Sequence, residues 1–272
     1  MKGTIVYKMS GSGNDFVFAD GRTSHLDSWT AERIQTVCAR GTGVGADGVA
    51  VLEPGSEPGH VRFHFFNMDG SQAEMCGNAA LCATRLAAWL ELAPAAGMVL
   101  ETDSGEVETR CLEGGGERAE ILLPKVGEIT APEIPLAKGE LAIHLTRVGV
   151  PHLVVEVEDL AGTPILDRGR VLRAHAKAGA AGANVNFVAA EPSGWAMRTY
   201  ERGVEAETLA CGTGAVACAA ILARDGGVRL PWEVRTASGA ILTVSSVSDG
   251  GPLRRARLAG EGRMVFRAVL ET

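Results

Sequence analysis

"EMCGNAALCATRLAAWL", Glu74–Leu90, decides the fold. Cys76, Gly77 and Asn78 stand before a run that is almost wholly apolar: Ala79, Ala80, Leu81, Cys82, Ala83, Leu86, Ala87, Trp89 and Leu90. A helix with no polar face is a buried one, so the run predicts a core helix over 77–90. "ETLACGTGAVACAAILA", Glu207–Ala223, repeats the arrangement, with Cys211, Gly212 and Thr213 ahead of a second apolar helix over 212–223. Two buried helices, each preceded by a cysteine, predict two units of one design with a helix as the axis of each.

The flanking sequence repeats as well. "GSGNDFVFAD" from Gly11 resembles "RVGVPHLVVEVED" from Arg147, and "VGADGVAVLE" from Val44 resembles "AGANVNFVAAE" from Ala181. "FNMDGSQAEMCGNAA" from Phe66 resembles "YERGVEAETLACGTGA" from Tyr200. The three blocks keep their order and spacing, which predicts an internal duplication joined near 112–125. Between and within the blocks, 61–68, 98–113, 145–159, 183–191 and 195–201 alternate as strands do. A further helix is expected in "DSWTAERIQTVCARG", capped by Ser28 or Thr30, with Ile34, Val37 and Cys38 as its buried stripe. Many strands and few helices make this an α+β chain. The expected organisation is a curled, mostly antiparallel sheet around a central helix, made twice. Residues 1–113 with about 261–272 form the domain carrying Cys76, and 114–260 the domain carrying Cys211.

Bulk composition excludes several classes. The 272 residues carry a net charge of −7 and have no basic cluster, which argues against nucleic acid and anionic membrane as partners. No apolar run is long enough to span a bilayer, and no signal peptide is visible. A cytoplasmic location and reduced thiols follow as expectations. None of the six cysteines forms C-x-x-C, so no structural zinc site is expected. Cys38, Cys82, Cys111 and Cys218 read as buried small hydrophobes.

Cys76 and Cys211 read differently because of where they stand. A helix N-terminus has amides without intrahelical partners and the positive end of a dipole, which together attract a carboxylate or phosphate. Gly77 and Gly212 leave that backbone accessible, and Asn78 and Thr213 are candidate caps. The same field favours thiolate over thiol, lowering a cysteine pKa from its free value of about 8.5. Two such thiols suit a proton transfer beside a carboxylate. One removes a proton as thiolate, the other delivers one as thiol from the opposite face, and the carbon inverts without a cofactor.

The chain resembles the diaminopimelate epimerase family over nearly its whole length. The resemblance lies in "KMSGSGNDFV", "GVGADG", "NMDGSQAEMCGN", "PHLVV", "NVNFV" and "ERGVEAETLACGTGA", in the family's order. It implies two pseudo-symmetric α+β domains, a diamino dicarboxylate substrate, no metal or pyridoxal phosphate, and a homodimer. The C-terminal "MVFRAVLET" is implied to complete the first domain. By position it implies Cys76 and Cys211 as catalytic thiols and His152 and Glu201 as an auxiliary pair. Asn14, Asn67, Asn184, Glu201 and Arg202 are implied to hold substrate, and the amides around Gly77–Asn78 and Gly212–Thr213 to cradle its carboxylate. The residue types agree: a far carboxylate and amine need a guanidinium and a carboxylate. Each has a plainer reading beside this one. Asn14 suits a turn, His152 a strand interior, and Glu201–Arg202 a surface charge pair. Asp15 and Asp69 read as turn or capping residues.

The chain also departs from the family pattern. Ala79 and Leu81 stand where the family has a glycine and an arginine. Val150 replaces a substrate-contacting asparagine, and Gly48 stands where some members carry a glutamine. These two are weaker substrate-contact positions. "ERGVEAET" is one residue longer than the commoner form. The departures keep open a related two-cysteine racemase of proline, hydroxyproline or histidine type. A non-catalytic amino-acid-binding protein, a thiol peroxidase and a cysteine hydrolase explain the paired thiols less well.

Overall fold

The computed structural model describes residues 3–114, 116–248 and 251–271. Gly115, in the expected linker, and Thr272, at the end of the expected C-terminal return, lie outside them. The chain divides into two compact units, 1–121 with 259–272, and 122–258.

In the first unit the order is β1 (Thr4–Gly11), β2 (Asn14–Asp20), α1 (Ala31–Cys38), β3 (Gly48–Pro54), β4 (His60–Asn67), β5 (Gln72–Ala73), α2 (Gly77–Trp89), β6 (Met98–Thr102), β7 (Gly105–Cys111) and β8 (Arg118–Leu122). In the second it is β9 (Glu140–Val148), β10 (Val150–Val157), α3 (Ile165–Arg173), β11 (Asn184–Glu191), β12 (Gly194–Glu201), β13 (Ala206–Thr208), α4 (Gly212–Arg224), β14 (Trp232–Arg235) and β15 (Ile241–Ser246). Two strands close the chain: β16 (Ala256–Glu261) and β17 (Arg263–Leu270), and β17 lies antiparallel to β1.

The pairings repeat as the sequence does. In the first unit β1–β2 is an antiparallel hairpin, β2 runs parallel to β3, β3 antiparallel to β4, β4 parallel to β6, and β6–β7 is a hairpin. In the second unit β9–β10, β10–β11, β11–β12, β12–β14 and β14–β15 follow the same scheme. The register also corresponds. Phe16 pairs with Gly48 and Gly48 with Asn67, as His152 pairs with Asn184.

In β2, β3, β10 and β11 one face is turned to the small helix of the unit and the other to its central helix. Val17, Ala19, Val49 and Val51 pack with Ile34, Val37 and Cys38 of α1. Leu153, Val155, Val185 and Phe187 pack with Ile165 and Leu172 of α3. The alternate residues face the other way, toward α2 and α4, because successive strand side chains point to opposite faces. The curl of the sheet follows: α2 packs on β1, β2, β3, β4, β6, β7 and β17, and α4 on β9, β10, β11 and β15. Thr30 is the residue that caps α1, accepting from the Arg33 amide.

Three sequence expectations need correction. The helix α3 was not anticipated; its buried residues are only Ile165, Gly169 and Leu172, a stripe too short and glycine-broken to stand out. Trp89 is not core but 54% exposed, with its ring edge-on to Tyr7. Asp15 is no turn or cap: it lies in β2 and binds Lys8 and Arg40. Asp69 does act in a turn, accepting from the Ser71 amide and hydroxyl.

Candidate active site

Strand direction explains how distant residues meet. In the first unit β2 and β3 start at one end of the sheet, and β4, running against them, finishes there. Asn14 is therefore beside the Gly48 end, and Asn67 opposite Gly48. The chain then turns through β5 into α2, whose N-cap is Cys76. In the second unit the same logic gathers Val150 and His152 of β10, Asn184 at the start of β11, Glu201 at the end of β12, and Cys211 as the N-cap of α4. Each unit thus brings its strand-end candidates to the end at which its central helix begins.

The helix ends differ from the expected caps. Neither Cys76 nor Cys211 makes a side-chain cap, and Asn78 and Thr213 lie inside the first turn. Asn78 instead donates to Asn14 Oδ1 at 2.8 Å, and Thr213 Oγ1 lies 3.7 Å from Cys211 Sγ. Cys76 is half-buried and Cys211 buried, whereas Cys82 and Cys218, deeper in the same helices, are fully buried. Burial pushes those inner thiols well above the usual cysteine range, leaving them inert. An added Cβ at Gly77 would make only an ordinary 3.7 Å contact with Ile121, but at Gly212 it would press to 2.5 Å on Leu258.

Around Asn14 the support is ionic. Its Nδ2 donates to Asp47 Oδ2 at 2.9 Å. Arg40 bridges Asp47 at 2.8 Å and Asp15 at 2.6 Å, and Lys8 joins Asp15 and the Gly45 carbonyl. Burial would raise the Asp15 carboxyl, but Arg40 and Lys8 outweigh it and hold the group below its ordinary range. Because Asp47 occupies Nδ2, the Asn14 oxygen is turned to Asn78. Asn67 is held within its own turn, with Nδ2 on Ser71 Oγ at 3.0 Å.

The second unit is furnished differently. Asn184 Oδ1 accepts from the Arg202 amide at 2.9 Å. The Arg202 guanidinium forms no ion pair among the described residues, and Glu201, the last residue of β12 and next to it in the chain, does not bind it. The surface-pair reading of these two is not what the structure shows: Glu201 ends β12, half-buried, and Arg202 opens the turn that follows without an ion pair to it. Glu201 is half-buried, and burial raises its pKa against the pull of the Thr208 hydroxyl. His152 is wholly buried, and burial pushes its pKa down to about 3. The Val148 main chain favours the proton, though outside strict hydrogen-bonding geometry, and Arg202 opposes it. The imidazole is neutral at physiological pH.

A family model for diaminopimelate epimerase matches residues 6–123 and 144–254. The chain belongs to the diaminopimelate epimerase family. It is 44% identical to a diaminopimelate epimerase of Gemmatimonas aurantiaca, over 97% of this chain and 98% of that one. It is 40% identical to one from Aquifex aeolicus, over 97% and 96%. In fold it is similar to a phenazine biosynthesis protein of the PhzF family from Bacillus anthracis (TM-score 0.76, 15% identity, all of both chains). It is also similar to a hydroxyproline epimerase from Agrobacterium vitis with bound trans-4-hydroxy-L-proline (TM-score 0.69, 18% identity, 99% and 91% covered).

The departures from the diaminopimelate epimerase pattern now have physical reasons. Ala79 and Gly214 occupy the same place, three residues after the N-cap cysteine. A Cβ at Gly214 would overlap Asn186 Oδ1 and come within 3.1 Å of Cys211 Sγ. The first unit has Ala50 where the second has Asn186, so a methyl group fits at Ala79. Leu81 is fully buried, where a charge would lose its hydration. Gly48 is required here, since a Cβ would strike the Phe66 carbonyl and lie 2.9 Å from the Phe65 ring. Val150 stands where the first unit has Asn14 and gives no acceptor to the helix end; the Thr213 hydroxyl lies near Cys211 instead.

Three residues at these strand ends escaped the sequence reading: Asp47, Asn186 and Thr199. Asn186 was within reach, because "NVNF" in a strand puts Asn184 and Asn186 on one face.

Proposed function

We propose that the chain interconverts LL- and meso-diaminopimelate by moving one proton at one α-carbon, with Cys76 and Cys211 as the acid–base pair. The observation that carries the reading is the placement of a cysteine as N-cap of the central helix in both units of a diaminopimelate epimerase family member. One thiolate takes the α-proton, leaving the electron pair delocalised into the substrate carboxylate. The opposite thiol returns a proton to the other face, and the thiols end with their protonation exchanged. First-turn amides of α2 and α4 suit the charge that develops on the carboxylate. Asn14, Asn67, Asn78 and Asn184 orient the substrate by neutral hydrogen bonds. Arg202, lacking an ion-pair partner among the described residues, takes the far carboxylate. Glu201 and neutral His152 hold the thiol pair in complementary protonation states. No residue here is assigned to a cofactor.

The same reading places the protein in the cytoplasm, where its free cysteines stay reduced, as a homodimer. No described helix is long and apolar enough to cross a membrane.

The test is a chiral assay of the pure protein against LL-diaminopimelate and a panel of free amino acids in deuterium oxide. Epimerisation of diaminopimelate with deuterium at the inverted carbon is expected. Turnover of proline or hydroxyproline with diaminopimelate untouched would replace this reading with the racemase one.

A further inference from the structure

Three buried polar side chains form a chain of hydrogen bonds on the inner face of the second unit. His152, Asn186 and Thr199 are 0%, 0% and 2% exposed. Thr199 Oγ1 donates to Asn186 Oδ1 at 3.0 Å. Asn186 Nδ2 donates to the Leu153 carbonyl at 3.1 Å and lies 3.2 Å from His152 Nδ1. A main-chain carbonyl only accepts, so the amide orientation is fixed and the nitrogen facing the ring is a donor. His152 Nδ1 therefore accepts, and the ring proton sits on Nε2. That Nε2 makes no hydrogen bond among the described residues.

The fold itself does not ask for this. At the same three positions of the first unit stand Phe16, Ala50 and Phe65, all buried, with the two rings edge-on at 5.7 Å. Burying polar groups costs stability that an apolar trio does not. A chain that carries the apolar solution in its own other half retains the polar one for a reason outside folding. The place of the trio supplies that reason. Asn186 Oδ1 and Cys211 Sγ flank the bare Cα of Gly214 in the first turn of α4.

We propose that Asn186, oriented by Thr199 and the Leu153 carbonyl, is a positioning residue that keeps His152 in the Nε2–H form, so that the ring offers a donor and not an acceptor in this site. The functional half of this rests on the epimerase reading of Cys211 and His152; the tautomer half does not. Asn186→Asp keeps the shape and reverses the polarity: a carboxylate facing Nδ1 accepts, which draws the proton to Nδ1.

The experiment is nitrogen-15 NMR of histidine-labelled protein, with His152→Phe used to assign the signal, alongside kcat and KM for epimerisation. Wild type is expected to show a pyridine-like Nδ1 and a pyrrole-like Nε2. Asn186→Asp is expected to place a proton on Nδ1 and to lower kcat about 10–100-fold, the scale known for outer hydrogen-bond partners of metal-ligating histidines, with KM little changed. If the aspartate variant does not fold, Asn186→Ala is read the same way, since loss of the donor lets the Nδ1–H form populate. Thr199→Ser, which keeps the hydroxyl, is expected to keep the wild-type pattern and rate. A variant histidine that stays Nε2–H, or that switches with kcat unchanged, overturns the proposal. Wild-type protein that does not epimerise diaminopimelate defeats the reading of the site instead, and the substrate-free spectra still decide what Asn186 does to His152.

Discussion

The inner face of one unit presents Phe16, Ala50 and Phe65; the inner face of the other presents His152, Asn186 and Thr199 at the corresponding register. The strand scheme around both trios is the same. One copy of the duplicated design is therefore packed, and the other is wired. The ionic support follows the opposite rule. Lys8, Asp15, Arg40 and Asp47 brace Asn14 in the first unit, where the second has Val150. Duplication gave the two helix ends one shape, and divergence made one a rigid neutral-amide site and the other a site with a buried imidazole and a half-buried carboxyl.

The comparison is broken most severely at what the units share. Cys76→Ser and Cys211→Ser should each lower kcat by roughly 10²–10⁴-fold, the range of a lost general acid or base, read by deuterium incorporation at the α-carbon. Full turnover in both variants would sink the two-thiol mechanism. Next comes transplanting the packed trio into the wired unit. His152→Phe with Asn186→Ala and Thr199→Phe should fold and match or exceed wild type in urea denaturation, since replacing all partners of a buried hydrogen-bond network by apolar groups can be nearly neutral or stabilising. Activity should fall at least tenfold. A large loss of stability in that variant would mean that the polar trio serves the fold.

Smaller effects sharpen the contrast between the first turns. Gly214→Ala should cost about 1–3 kcal/mol by overpacking against Asn186. Ala79→Gly should cost only about 0.5–1 kcal/mol, the helix penalty of glycine. Equal costs in thermal or urea melts would show that the Asn186 contact does not account for the difference. The last effect is a pH slope. His152 titrates at its ordinary 6.5 when unfolded and at about 3 when folded. Between those values the unfolded chain binds the extra proton, so stability falls as pH drops from 6.5 toward 3. Measured over pH 6.5 to 5, that slope should be shallower in the packed-trio variant than in wild type; identical slopes would place the imidazole in water.

Much of this was legible from local rules. Apolar runs without a polar face gave two buried helices, and the repeated blocks gave two units, because periodicity and duplication are properties of sequence alone. The cysteines stood out for the same reason: Cys76 and Cys211 occupy matching places before matching helices. The short helix α3 was lost, since Gly169 interrupts its buried stripe. Asp15 was misread because its partners Lys8 and Arg40 come from β1 and from the segment after α1, which no spacing rule connects to a turn.

What the chain's order of residues determined, then, was the kind of its strongly patterned elements, the doubling, and the chemistry available at the start of each central helix. What only tertiary structure decided was polarity and direction at single atoms. Asn186 is one more strand residue until Leu153 and Thr199 fix its amide, and His152 is any histidine until that amide faces it. Ala79 was only a departure from the family pattern until Gly214 showed which neighbour forbids a methyl group. The physical reason is range. Helix and strand periods act over a few residues, whereas hydrogen-bond orientation and steric exclusion are set by groups brought together from strands far apart in the chain.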